Sequence, residues 1–165
     1  MNLNRDFGDD IISGEAGIIK DSLKKDAKQY IFGIDMHEIP EVEGDLVDGK
    51  YYGSLPKSFF MWKNCEDKGL RIGKKALETL KGKGIPVCSY KEILGEPNNN
   101  GVIWYPEGLK NEMYLASATF DAYLSKHYCK HVVTSETPVI WMLDTRIEAH
   151  LTVLRTALEE KKKGK

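Results

Sequence analysis

GKYYGSLPKSFFMWKNCEDKGLRIGKKALETLKGKGIPVCSYKEIL, residues Gly49 to Leu94, is the stretch around which the rest of the chain is read. Between Lys50 and Leu94 it holds ten Lys or Arg against four Asp or Glu, a balance of +6. Pro56 suits the first turn of a helix, where its missing N–H leaves nothing unpaired. The pattern that follows predicts a short helix over 57–66, with Phe59, Phe60 and Trp62 largely inward as core. Asp67-Lys68-Gly69 reads as a tight stop, because Gly69 can take the positive φ of a helix end. A second helix is expected over 70–80. Leu70, Gly73, Ala76, Leu77 and Leu80 share its inner face, and Arg71, Lys74, Lys75 and Lys81 its outer one. Gly82 and Gly84 end it. Ile85-Pro86-Val87 and Gly101-Val102-Ile103-Trp104-Tyr105 read as strands flanking the loop GEPNNNG, which gives a β-hairpin beside the helices.

The flanks differ sharply in charge. Residues 1–48 hold five basic and twelve acidic residues, and residues 95–165 hold nine of each, so a net charge of −1 conceals three unlike regions. Such asymmetry points to a polyanionic partner. In the acidic head, Glu15 to Gln29 has helical spacing and Tyr30 to His37 (YIFGIDMH) has the length and composition of a strand. Pro40, Gly44 and Gly49 then mark a loop. In the tail, 109–133 has helical spacing and Thr137-Pro138 reads as the cap and first turn of a second long helix. These predict an antiparallel helical hairpin, suited to pairing with its copy in a homodimer.

At 165 residues and 41 % hydrophobic the chain is expected to form a single domain, with acidic head 1–48, centre 49–108 and helical hairpin 109–165. The expected class is α+β. Cys65, Cys88 and Cys129 form no CxxC pair, which excludes a zinc ribbon or a secreted disulfide framework. The start MNLNRDFGDD lacks the regions of a signal peptide, and no apolar run approaches the ~20 residues that cross a bilayer. The expectation is a cytoplasmic protein without membrane contact and without a cofactor.

Four constellations bear on chemistry. A strand carrying Asp35, followed by His37, Glu38, Glu41 and Glu43, can gather ligands for Mg²⁺ or remain a solvated acidic loop. GID at a strand end is similar to the first acidic strand of ribonuclease-H-like nucleases. His127 and His131 lie four apart around Cys129, without the glutamate of HExxH or an identifiable third ligand. His150-Leu151-Thr152 is a single His-x-Thr in helical surroundings, where two-histidine phosphoesterases need two on strands.

LRIGKKALETLKGKG followed by GVIWY, within residues 57–105, resembles the small helix-turn-helix DNA-binding module of phage homing endonucleases. No GIY-YIG or HNH nuclease motif accompanies it. The resemblance implies a DNA-binding domain without its nuclease, hence a non-enzymatic regulator: a repressor or accessory factor of a phage or mobile element, bound to double-stranded DNA by site occupancy. Arg71 would read guanine edges and Lys74 and Lys75 phosphates, supported by Lys57, Lys63, Lys81 and Lys83. The alternatives are a metal-dependent nuclease or phosphoester enzyme using Asp35, His37 and Glu38, and a small protein-interaction or inhibitor protein.

Overall fold

The computed structural model describes residues 3–10, 14–26, 28–40, 46–47, 50–51, 55–64, 71–104 and 116–163. The class is α+β, as expected. In chain order the elements are α1 (Gly14–Asp26), β1 (Gly33–Ile39), β2 (Leu46–Val47), β3 (Lys50–Tyr51), β4 (Phe60–Lys63), α2 (Ile72–Gly82), β5 (Glu92–Ile93), β6 (Glu96–Asn99), β7 (Val102–Trp104), α3 (Phe120–His127), β8 (Val132–Pro138) and α4 (Leu143–Lys163). Six strands form one mixed sheet in the order β1-β8-β4-β7-β6-β5, and β2 and β3 form a separate ribbon. β8 lies parallel to β1 and antiparallel to β4, which is itself parallel to β7. Among the described residues no helix is long and apolar enough to cross a membrane.

The central strand β4 corrects the largest expectation. Phe60-Met61-Trp62-Lys63 was to be the first helix of a helix-turn-helix over 57–66, and it is instead a strand between β8 and β7. A strand buried on both faces needs apolar residues at successive positions, so it shows no alternation by which to recognise it. Phe60 and Met61 are at most 1 % exposed, on opposite faces. Lys63, expected to face a phosphate, is wholly buried, with its ammonium over the Trp104 ring. The proposed stop at 67–69 lies outside the described residues.

The C-terminal half carries a second difference. α3 is short, residues 105–115 lie outside the described residues, and β8 stands between α3 and α4. The two helices therefore do not form a hairpin. Val132, Val133, Thr134 and Thr137 are β-branched and favour the pleated strand, and Thr137-Pro138 closes it where a helix cap was expected.

Helices cover both faces. On one, α2 lays Ile72, Ala76, Leu77 and Leu80, and α4 lays Ala149, Val153 and Ala157, against Phe59, Met61, Val102 and Val133. On the other, Ala16 of α1 and Tyr123 and Leu124 of α3 pack with Phe7 and Val132. Further along that face Phe60, Ile103, Ile39, Cys88 and Ile93 make a smaller cluster. The expected hairpin of 85–87 with 101–105 is not formed: Val87 makes only an isolated bridge to Phe59, and the partner of β7 is β6, drawn from the stretch read as the GEPNNNG loop and joined to it by Asn100-Gly101. Gly101 has φ +104°, and a Cβ there would stand 2.5 Å from Val87. Only glycine fits the turn.

Candidate acid–base site

Parallel pairing of β1 with β8 sets Asp35 opposite Thr134 and His37 opposite Glu136. Paired residues in a sheet stand on one face and alternate residues share it. Asp35, His37, Thr134 and Glu136 therefore project together on the α3 side, beyond the point where Leu124 packs close to Gly33. β4 completes the floor, with Trp62 opposite Thr134 and Phe60 opposite Glu136. Asp121, buried in the first turn of α3, is near enough to act on both His37 and Glu136.

His37 stands between two carboxyls. Its Nε2 is 3.1 Å from Asp35 Oδ2, and its Nδ1 is 3.9 Å from Glu136 Oε1. Contact with Asp35, then the charges of Asp35, Glu136 and Asp121, raise the imidazole above its ordinary value, against the opposing effect of burial. Burial dominates at Glu136. With help from Asp35 and Asp121, and against His37 and a Trp62 hydrogen bond, it pushes that carboxyl up to about 7. A carboxyl poised near neutrality beside an imidazolium can both give and take a proton under ordinary conditions. Thr134 Oγ1 is buried and has no hydrogen-bond partner among the described residues, and Asp35 Oδ2, also buried, has the His37 imidazole at 3.1 Å as its neighbour.

Asp35 and His37 were legible as candidates. Glu38 was not the third member: it alternates to the opposite face and pairs there with Arg146 of α4. Glu41 and Glu43 lie outside the described residues. Glu136, Asp121, Thr134 and Trp62 were missed, and the signal that could have found two of them was the β-branched run VVT at 132–134. His127 and His131 do not converge. The first meets Asp9 at 2.9 Å, and the second lies beyond the end of α3, its imidazole lowered by burial and the nearby Lys63 and Lys130 charges. His150 lies in α4, as its surroundings implied.

The groove-reading residues are placed otherwise than expected. α2 lies flat against the sheet, burying Ile72, Gly73, Ala76, Leu77 and Leu80. Lys75 is paired with Glu160 of α4, and Lys83 with Glu148, reaching also to Thr152 at 3.2 Å. Lys74 is 4.0 Å from Glu78 on its own helix. Arg71, Lys81 and Lys57 are exposed.

No family model and no curated protein matches the chain. Solved structures do match. A putative metallopeptidase from Shewanella denitrificans OS217 superposes with TM-score 0.58 at 16 % identity, covering 96 % of this chain and 51 % of that one. Those from Shewanella baltica OS155 and Shewanella amazonensis SB2B give TM-scores of 0.59 and 0.53 at 15 % and 16 % identity, each covering 89 % of this chain and 47 % of the other. The likeness is one of fold, and this chain spans about half the length of these structures. It overturns the expectation of a DNA-binding repressor or phage regulator: the architecture is one found in putative metallopeptidases, and the supposed first helix of the DNA reader is the centre of its sheet.

The ring nitrogens of His37 face Asp35 at 3.1 Å and Glu136 at 3.9 Å. Among the described residues no three His, Cys, Asp or Glu side chains come together as metal ligands.

Proposed function

We propose that the chain is a hydrolase domain in which Glu136 and His37 provide acid–base catalysis on an ester or amide bond. The observation that carries this is the β1–β8 register, which sets the Glu136 carboxyl opposite His37 and beside Asp35, where burial pushes the carboxyl up to about 7. In its ionised form Glu136 takes a proton from the attacking water. In its protonated form it returns one to the leaving group, and His37 offsets the negative charge that develops between these steps. The fold shared with putative metallopeptidases supports the hydrolytic class, and no step here passes through a metal. The test is turnover of a panel of chromogenic amides and esters, with and without chelator. Activity that survives chelation and is lost in Glu136→Gln is expected. Equal turnover by the variant, or turnover that needs added metal and ignores Glu136, overturns the reading.

The homodimer keeps one favouring observation, now on a single helix. Leu143, Ile147, Leu151, Leu154 and Leu158 form a stripe on α4 turned away from Ala149, Val153 and Ala157, and Leu143, Ile147 and Leu158 are exposed. Antiparallel pairing would set the Asp144 end of one helix against Lys161–Lys163 of a second copy, an arrangement that favours self-association. Sedimentation should show a dimer that Ile147→Glu dissociates. A monomeric parent protein at tens of micromolar sinks the idea.

A further inference from the structure

We propose that the open edge of β1 pairs with β1 of a second copy, antiparallel about Met36, so that the sheet continues across a two-fold axis and the two acid–base sites meet there. The proposal rests on the homodimer reading for the two-fold relation. It goes beyond it in naming the strand, its register and the residues brought together.

The two ends of the sheet are unlike. β5, at one end, is two residues long and offers little for another chain to pair with. β1, at the other, runs seven residues without proline or lysine, and among the described residues β8 is its one partner strand. Its main-chain groups alternate in direction. The Gly33 N–H donates to the His131 carbonyl at 2.8 Å, and the Ile39 carbonyl accepts from the Val139 N–H at 3.0 Å. Gly33, Asp35, His37 and Ile39 therefore turn their groups to β8, and Ile34, Met36 and Glu38 turn theirs to the open side. The N–H and C=O groups of these last residues form a template for a further strand, and Met36 is 46 % exposed in their middle.

The order of side chains along β1 selects its own copy as the occupant. A two-fold axis normal to the sheet keeps like faces together, so residues directly opposite share a face. With the axis at Met36, the Met36 main chains bond to each other, and Ile34 bonds to Glu38 of the second copy. Between these lie the positions where side chains stand closest. They set Asp35 opposite His37 of the second copy, and His37 opposite its Asp35. A carboxylate thus meets an imidazole on both sides of the axis. Moved by one residue, the axis falls on Asp35 or on His37, and like groups oppose each other. The helix above the strand agrees. Glu148, Thr152 and Glu160 mark the flank of α4 that faces α2, and Arg146 on the other flank reaches Glu38 of β1. Leu143, one turn from Arg146, and Ile147 beside it are exposed toward that β1 flank. One axis therefore joins the strands and sets α4 antiparallel to its copy.

The experiment reads the register with cysteine variants of the full chain: Met36→Cys, Ile34→Cys and Glu38→Cys, each oxidised with diamide. The parent protein, whose Cys88 and Cys129 are buried, serves as the blank. Across the axis position 36 meets itself at about 5.5 Å between Cα atoms, within the reach of a disulfide. Met36→Cys should cross-link at least about tenfold faster than either other variant alone, and Ile34→Cys mixed with Glu38→Cys should give the mixed dimer. A second measurement needs no covalent bond. In the parent protein, hydrogen exchange at the Ile34, Met36 and Glu38 amides should slow by about tenfold or more from dilute to concentrated samples. Met36→Lys, which sets like charges face to face, should weaken the dimer by about tenfold. Equal cross-linking at the three positions, exchange that ignores concentration, or a dimer indifferent to Met36→Lys overturns the proposal. A dimer that Ile147→Glu dissociates but Met36→Cys does not bridge sinks this inference alone. A Met36→Cys bridge that forms undiminished in the Ile147→Glu background sinks the α4 contact alone, and a monomer sinks both.

Discussion

Strand β8 sends Thr134 and Glu136 to one face of the sheet and Ser135 and Thr137 to the other, and a histidine meets each pair. His37 stands between carboxyls at a partly open edge, and its neighbours hold it toward the charged form. His150 is enclosed under α4. Its Nδ1 lies 2.7 Å from Ser135 Oγ and its Nε2 3.1 Å from Thr137 Oγ1, and burial draws it toward the neutral form. One imidazole has carboxyls for neighbours, and the other is satisfied by hydroxyls. The difference teaches that alternation along one strand places two histidines in opposite electrostatic surroundings by a shift of a single residue.

The largest effect should come from exchanging one neighbour for the other along β8. Glu136→Gln is expected to lower kcat by about 10²–10⁴, the usual range for loss of a general acid–base group. Ser135→Ala, one residue away, should leave kcat within about twofold and lower stability by about 1–2 kcal/mol through loss of the hydrogen bond it shares with His150. Steady-state kinetics and urea unfolding on both variants would read this. Equal kinetic losses in the two would erase the distinction between the faces.

A second contrast lies in the pH dependence of stability. The folded value of Glu136, about 7, exceeds its ordinary 4.5. Between these values the native state holds a proton that the unfolded state has released, so stability falls as pH rises through that window. The loss attributable to Glu136 is on the order of 3 kcal/mol, and Glu136→Gln should abolish it. His37, also raised, acts with the same sign above its ordinary 6.5, where the native state keeps its proton longer. His150 has the opposite sign: its folded value is lowered, so the stability it contributes is lost as pH falls below 6.5. Urea midpoints taken from about pH 4.5 to about pH 8 should therefore fall in the parent protein and stay nearly level in Glu136→Gln. Parallel curves would show that Glu136 titrates as an ordinary exposed acid.

His150→Ala tests the enclosed side by itself. It removes the partner of two buried hydroxyls and opens space beneath α4, at a cost of about 2–3 kcal/mol measured at neutral pH. Turnover by the fraction still folded should stay within about twofold of the parent protein. A loss of kcat on the scale of Glu136→Gln would place His150 in the chemistry and break the comparison from the other side.

What the sequence revealed follows the same division. Local patterns gave α1, the edge strand β1, α2 with its buried face, and the glycine-dependent turn into β7, because each carries its period or its turn chemistry within about a dozen residues. β4 and β8 were lost because strands buried on both faces have no alternation, and Phe59, Phe60 and Trp62 then fitted a helical inner face equally well. The site suffered more than the fold. Asp35 and His37 were visible, but their partners on β8 are a hundred residues away and join them through a parallel register that no local pattern encodes. Glu38 was taken as the third carboxyl because it is adjacent in sequence, and adjacency in a strand means the opposite face.

The smallest expected effects concern the lysines of α2, which belong to the enclosed side. Lys75 and Lys83 form ion pairs with Glu160 and Glu148 of α4, tying the two helices that cover that face. Lys74 and Arg71 point to water. Ion pairs at a surface contribute little, so Lys75→Ala and Lys83→Ala should each lower Tm by about 1–3 °C, and Arg71→Ala and Lys74→Ala by less than about 1 °C. None should alter turnover, since α2 lies across the sheet from His37 and Glu136. The order within the set carries the argument. If α2 serves to hold α4, the lysines paired across to α4 matter more than Arg71 and Lys74, and high salt narrows the gap by screening the pairs. If Arg71 and Lys74 proved the more sensitive pair in any functional assay, the exposed side of α2 would have a role of its own, and the enclosed face could no longer be read as purely structural.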